Sequence, residues 1–393
     1  MKKNRIFELL MFISIIIILY FFPPQVFADQ LNNGNINYEW YHYITNQYKI
    51  DPKTVLKTAN KIKIAIIDTG IDRNICWLDT SNTQIYYVAG DKNDNKHGTL
   101  ISSILASNNK YGVRGVIPGI KIQSIKVGDS QNISQADLIK GISRAIELKP
   151  DIISMSLSTY YDNNQLHDVI KRALKENILV VASVGNDYYR GKSFPASYSE
   201  VMAVTAVDQD SDRLFRANTN NDISVAAPGK GIIAIDSKGN KVNYSGTSAA
   251  VPFVVGLAAI LKSEDPSLNP NEIKNIIQMT ATDLGDIGKD CYYGYGLIDF
   301  NKALYKARLK ASLLDKNGQS YLLIKVADKN GDLINGDYKL CITIQDYLSS
   351  LVIKRDIIIM KNGCVKVPYT SNNNEQVTIT SVNDDLVPYI LKY

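Results

Sequence analysis

Between residues 63 and 262 short apolar runs alternate with longer amphipathic ones, and this rhythm constrains the fold more than any other feature of the chain. Lys63-Ile64-Ala65-Ile66-Ile67 has the unbroken apolar character of a strand covered on both faces. Gly98 to Ser107 reads as a helix, Ile120 to Val127 as a strand, and Ser134 to Leu148 as a helix capped by Ser134. Strand Ile152 to Leu157, helix Leu166 to Glu176, strands Leu179 to Ser183 and Val201 to Val207, and helix Ser248 to Lys262 continue the series. Such a sequence predicts an α/β fold, a parallel sheet covered by helices on both faces.

From about Ala311 the pattern changes to strands alone, with Asp315-Lys316-Asn317-Gly318, Asp328-Lys329-Asn330-Gly331-Asp332 and Lys361-Asn362-Gly363 as turns between them. Residues 311–393 are expected to form a small all-β, sandwich-like C-terminal domain, and residues 29–310 the α/β domain. Two domains suit a chain of 393 residues. With 45% hydrophobic and 21% charged residues the chain is not a disordered one. The net charge of +5 is spread among acids, which argues against a nucleic-acid partner.

At the N-terminus, a cationic Met1 to Arg5, an apolar Leu9 to Phe22 and the cleavage-type sequence Val26-Phe27-Ala28 describe a secretory signal peptide over residues 1–28. The chain is therefore expected to be secreted, extracellular or held at the cell surface, meeting the membrane only transiently through this segment. Residues 29–35 are polar, and Trp40, Tyr41, Ile44 and Tyr48 recur at the spacing of a short amphipathic helix. Four cysteines, Cys76, Cys291, Cys341 and Cys364, permit disulfides in an exported chain. Cys341 and Cys364, both in strand-like runs, are the first pair to expect, against the alternative that all four are reduced.

Three short stretches carry reactive groups. Ile66-Ile67-Asp68-Thr69-Gly70 puts an acid at the carboxyl end of a buried strand, where the sites of open α/β sheets gather. An aspartic peptidase would use the same run twice, to share a proton between two carboxylates, and no second copy occurs. His97-Gly98-Thr99 opens a helix after a polar loop, and the chain holds only His42 and His167 besides. Gly246-Thr247-Ser248-Ala249-Ala250-Val251-Pro252 feeds a strongly apolar helix. A serine there is ordinarily a cap, but the helix N-terminus also favours a developing oxyanion. Pro252 has no N–H, which leaves the carbonyl of Ser248 without its helical partner and marks the site as special.

In the order Asp, His, Ser these stretches resemble the signature of the subtilisin-like serine peptidases. Gly112 to Pro118, Ser154-Met155-Ser156-Leu157-Ser158, Ala226-Ala227-Pro228-Gly229, Ala182-Ser183-Val184-Gly185-Asn186 and Tyr293 to Ile298 resemble further segments of that family, over residues 38 to 307. The resemblance implies a subtilisin-like fold and a serine endopeptidase with Asp68, His97 and Ser248 as catalytic triad, Asn186 in the oxyanion hole, and Ser156, Leu157, Ser158 and Gly185 at the substrate. The partner implied is a polypeptide substrate, met by a monomer. No cofactor is required for the chemistry, while Asn108-Asn109-Lys110-Tyr111-Gly112-Val113 resembles a loop that holds a structural calcium in the family. The chain departs from the family's pattern at Leu100 to Ser103, at Ala249 and Val251, and at Ser158, where glycine is common at the rim of the first specificity pocket.

The alternative is a catalytically weak scaffold whose C-terminal β-domain binds a partner or cell surface; its mark would be a lost triad or oxyanion residue, and none is lost. Residues 29–60 are short for the pro-domain of secreted relatives. They are read either as a short pro-region or as the start of a mature enzyme near Asp29, with a narrow substrate range.

Overall fold

A computed structural model describes residues 39–72, 83–91, 96–109, 112–129, 133–305, 308–316, 319–327, 333–334, 338–346, 352–369, 375–381 and 389–392. The signal-peptide expectation for residues 1–28, residues 29–35 and Cys76 lie outside the described residues.

The α/β part is built on seven parallel strands: β1 (Lys63–Asp68), β2 (Thr83–Ala89), β3 (Lys121–Val127), β4 (Ile152–Met155), β5 (Leu179–Ser183), β6 (Met202–Val207) and β7 (Val225–Pro228). They lie in the order β2-β3-β1-β4-β5-β6-β7. The chain leaves β1 toward β2 and β3 on one side, then crosses to β4 and works outward on the other. A crevice therefore opens at the carboxyl ends of β1 and β4, where open α/β sheets place their sites.

Alternation along β1 shows why the sequence takes this form. Ile64 and Ile66 enter the core on one face, Ala65 and Ile67 that on the other, and all four are buried. On the second face lie helices α4 (Gln135–Glu147) and α5 (Asn164–Lys175), numbered after α1 (Trp40–Ile44), α2 (Pro52–Lys61) and α3 (Lys96–Ala106). The first face is covered by α6 (Thr247–Glu264), in which every residue from Thr247 to Ser263 is buried. A helix apolar all round belongs in a core. It is long and apolar enough to cross a membrane, but it is buried in the protein. Helices α7 (Pro270–Met279) and α8 (Phe300–Tyr305) and the hairpin β8 (Ile232–Ile235) and β9 (Lys241–Tyr244) complete this part.

Strands β10 (Arg308–Lys316), β11 (Gln319–Ala327) and β14 (Cys364–Pro368) form one antiparallel sheet. Strands β12 (Tyr338–Asp346), β13 (Val352–Met360), β15 (Glu375–Ser381) and β16 (Tyr389–Lys392) form a second. Leu322, Ile324 and Val326 of the first meet Leu340, Ile342, Val377 and Ile379 of the second in one buried cluster. That arrangement is a sandwich.

Several expectations change. The pairing of Cys341 with Cys364 is wrong: both are free thiols, as is Cys291. Leu340 and Ile342 turn inward, so Cys341 between them turns out of the sandwich, whereas Cys364 belongs to the other sheet. The Trp40 to Tyr48 helix ends at Ile44, because Asn46 takes a left-handed conformation before a short 3-10 turn at Gln47–Lys49. Helix α2 was not anticipated, although Asp51 caps it and Pro52 opens it. Strand β4 ends at Met155, which frees Ser156 to Ser158 from the sheet to form a cleft wall.

Candidate active site

Asp68 closes β1 and His97 lies in the first turn of α3. What brings them together is a close approach of backbone: a side chain at Gly98 would stand 2.2 Å from the carbonyl oxygen of Gly70, and only glycine admits it. Thr69 Oγ1 accepts the Gly98 N–H at 3.0 Å and fastens the contact. In the result Asp68 Oδ1 lies 2.8 Å from His97 Nδ1 and also accepts the Thr69 N–H at 2.7 Å. The Asp68 side chain is 3% exposed and that of His97 24%, so the acid is enclosed while the imidazole faces the cleft. Burial pushes the His97 pKa down, the charge and hydrogen bond of Asp68 push it up, and the net shift is upward from 6.5. With Nδ1–H donated to the carboxylate, Nε2 is left as the basic atom.

Ser248 is buried in the first turn of α6 behind Gly246. Its Oγ donates to the Ser156 carbonyl at 3.2 Å, and Ser156 Oγ donates to the Ser248 carbonyl at 3.0 Å. The second bond supplies the partner that Pro252 cannot. His97 and Ser248 share a neighbour in Tyr244, whose ring lies edge-on to the imidazole at 5.9 Å. Burial pushes the Tyr244 phenol up, the Asp68 charge adds to this, and its contact with Ser248 pulls it back, so it stays a neutral group between them. Ser248 Oγ is engaged with Ser156 rather than with His97; catalytic hydrogen bonds commonly tighten only once substrate is bound.

Asn186 follows β5 and stands beside the start of α6, its Oδ1 accepting the Thr247 N–H at 2.9 Å. A backbone N–H can only donate, so this fixes which end of the amide is oxygen and leaves Nδ2 as the donating end. Ser156, Leu157 and Ser158 line a cleft of about 320 Å³ together with Asp68, His97 and residues of the Ile133 to Leu138 segment. Gly185 lies behind Asn186 with φ +95, a conformation that suits glycine.

The other two histidines serve elsewhere. His42 is 1% exposed and accepts the Glu39 N–H on Nδ1, and burial with the nearby Arg114 charge pushes its pKa down to about 3. His167 bonds Glu200 at 3.0 Å and stacks on Tyr198.

A supporting residue escaped the reading of the sequence. Lys126 is wholly buried and donates to the Thr69 carbonyl at 2.8 Å, the Gly128 carbonyl at 2.8 Å and Asp129 Oδ1 at 3.1 Å. It ties the segment after Asp68 to Asp129 on the cleft wall. A lysine inside the apolar run Ile125-Lys126-Val127 was the signal.

The loop that resembles a calcium site does not fit the ion in its described residues. Asn109 Oδ1 is buried without a hydrogen-bond partner, as a cation ligand would be. The Gly112 carbonyl, however, accepts from the Lys241 ammonium at 3.2 Å, and the Val113 carbonyl from Ser107 Oγ at 2.8 Å. Those two carbonyls already serve the protein, whereas a calcium ion takes six to eight oxygens. Among the described residues no cluster of His, Cys, Asp or Glu could hold a metal.

This parallel sheet with an Asp–His pair and a serine at its carboxyl edge is the architecture of a subtilisin-like protein. Residues 59–296 match the Subtilase family. The chain belongs to that family of serine proteases. It is 32% identical over 281 residues to the minor extracellular protease Epr of Bacillus subtilis, a match of 70% of this chain and 43% of that one. It is 35% identical over 248 residues to a thermostable alkaline protease of Halalkalibacterium halodurans, covering 62% of this chain and 68% of the relative. Subtilisin E of Bacillus subtilis is 33% identical over 256 residues, covering 63% and 66%. The chain thus spans between about two fifths and two thirds of the length of these relatives. The crystal structure of the psychrophilic subtilisin-like protease Apa1 from a Pseudoalteromonas species shares the fold, with a TM-score of 0.60 at 18% identity over 68% of this chain and 97% of that one.

Proposed function

We propose that this protein is a secreted serine endopeptidase that hydrolyses peptide bonds through an acyl-enzyme. Ser248 Oγ attacks the scissile carbonyl, His97 Nε2 takes the hydroxyl proton and returns it to the leaving amine, and Asp68 holds the imidazole in the required tautomer and stabilises the imidazolium. Asn186 Nδ2 and the Ser248 N–H receive the oxyanion, aided by the positive end of α6. A water then repeats the sequence on the acyl-enzyme and frees Ser248. The observation that carries this reading is the enclosed Asp68 carboxylate 2.8 Å from an imidazole that faces the cleft.

The cleft is proposed to take the polypeptide along the Ser156-Leu157-Ser158 edge, an unpaired strand-like segment that offers main-chain hydrogen bonds to an extended peptide. Residues 29–310 would carry catalysis, with 311–393 as an appended β-domain. Secretion is supported by the signal-like order of residues 1–28 and by the extracellular relative. Purified protein incubated with casein at neutral pH is expected to yield peptides, and Ser248→Ala protein none. Equal digestion by both would remove Ser248 from the chemistry and leave the scaffold reading.

A further inference from the structure

The residue whose carbonyl is attacked must carry its own side chain somewhere, and two segments define where. Ser156 is tied to Ser248, and Asn186 to Thr247, so the runs Ser156 to Tyr160 and Val184 to Asp187 flank the nucleophile. They continue the adjacent parallel strands β4 and β5, paired as Met155 with Ala182. A carbonyl seated between Ser248 Oγ and Asn186 directs its side chain into the gap between them.

At Gly185 that gap is narrow. A methyl group built on Gly185 would stand 2.4 Å from Asn218 Nδ2 and 3.0 Å from Ser158 Oγ. Asn218 cannot step aside. It is fully buried, donates to the Val184 carbonyl at 2.9 Å, and accepts the Asp187 and Tyr189 N–H groups at 2.9 and 3.0 Å. Farther out, the Tyr160 hydroxyl donates to the Asp187 carboxylate, and the Tyr160 ring packs against Tyr189 at 4.6 Å. Tyr160 OH is also 3.4 Å from Asn218 Nδ2, which joins the outer closure to the inner one. Gly185, Asp187 and Asn218 are absent from the lining of the open cleft, which Ser158 also borders and which runs past Ile133, Leu138 and Leu157.

We infer that Ser158, Asn218 and the Tyr160–Asp187 pair close the first specificity pocket, so that this protein cleaves after small residues, glycine, alanine or serine, and rejects large apolar and aromatic ones. This rests on the endopeptidase reading and adds to it a class of substrate. The open cleft, with its apolar lining, takes side chains farther from the scissile bond.

The test compares two peptidyl diphenyl phosphonates, identical except for alanine or phenylalanine at the reacting residue, by the rate at which each abolishes later labelling with a small fluorophosphonate. The alanine compound is expected to react at least about tenfold faster with the full chain. In Ser158→Gly/Tyr160→Ala, two substitutions at exposed positions, that ratio should fall by about tenfold or reverse. Equal rates in the unaltered protein, faster reaction with the phenylalanine compound, or a ratio unmoved in the double variant would each overturn the closed pocket. Absence of fluorophosphonate labelling altogether would instead sink the endopeptidase reading beneath it.

Discussion

Ser156 and Ser248 hold each other by two hydrogen bonds, each hydroxyl donating to the other residue's carbonyl, at 3.0 Å and 3.2 Å. Pro252 is the reason one of them exists. Without its N–H, the Ser248 carbonyl inside a buried helix would be an unsatisfied acceptor, and the wall of the cleft satisfies it. The proposed nucleophile is thereby fixed to the segment along which substrate is proposed to lie.

Ser156→Ala should consequently destabilise the fold by about 1–3 kcal/mol, the cost of a buried carbonyl left without a partner. In urea the midpoint should fall with the slope unchanged. An unchanged midpoint would mean that the Ser248 carbonyl finds another donor.

The upward shift of His97 sets the acid side of the pH profile. A general base must be neutral, so kcat/KM is expected to fall as pH drops through a value above the ordinary histidine pKa of about 6.5. Asp68→Asn removes the group that raises it, and should move this limb downward while lowering kcat by about 10⁴. A limb that stays in place in Asp68→Asn would show that Asp68 does not set the His97 pKa.

Stability should respond to pH through another histidine. His42 in the folded protein remains neutral down to about 3, whereas an unfolded histidine takes up its proton below about 6.5. Over that window the unfolded state binds the extra proton, so stability is lost as pH falls, by about 1.4 kcal/mol per unit. His42→Asn keeps an acceptor for the Glu39 N–H and removes the titration. The unfolding free energy of this variant should vary with pH less steeply between about pH 4 and 6, by that amount. Parallel curves would show that His42 protonates freely in the fold.

Much of this was legible in the sequence because it is written locally. Ile64 to Ile67 is apolar on both faces and can only be an interior strand, and Asp68, His97 and Ser248 each sit in a short run whose backbone conformation the neighbouring glycines dictate. Strand β2 was missed because it is a half-exposed edge strand without a continuous apolar run. Cys341 and Cys364 lie in similar strand-like runs, and only the side of the sandwich each strand joins decides that they do not meet. The closure of the specificity pocket could not be read either. Tyr160, Asp187 and Asn218 are polar residues of three separate loops, and what gives them meaning is the fold that brings them together.

Ser248 is proposed to be a nucleophile activated by His97. Covalent labelling of the full chain by a fluorophosphonate at neutral pH, followed by mapping of the modified residue by mass spectrometry, tests this. The adduct is expected on Ser248 alone, lost in Ser248→Ala and strongly slowed in His97→Ala. An unlabelled protein, or an adduct on another residue that persists in Ser248→Ala, would contradict it.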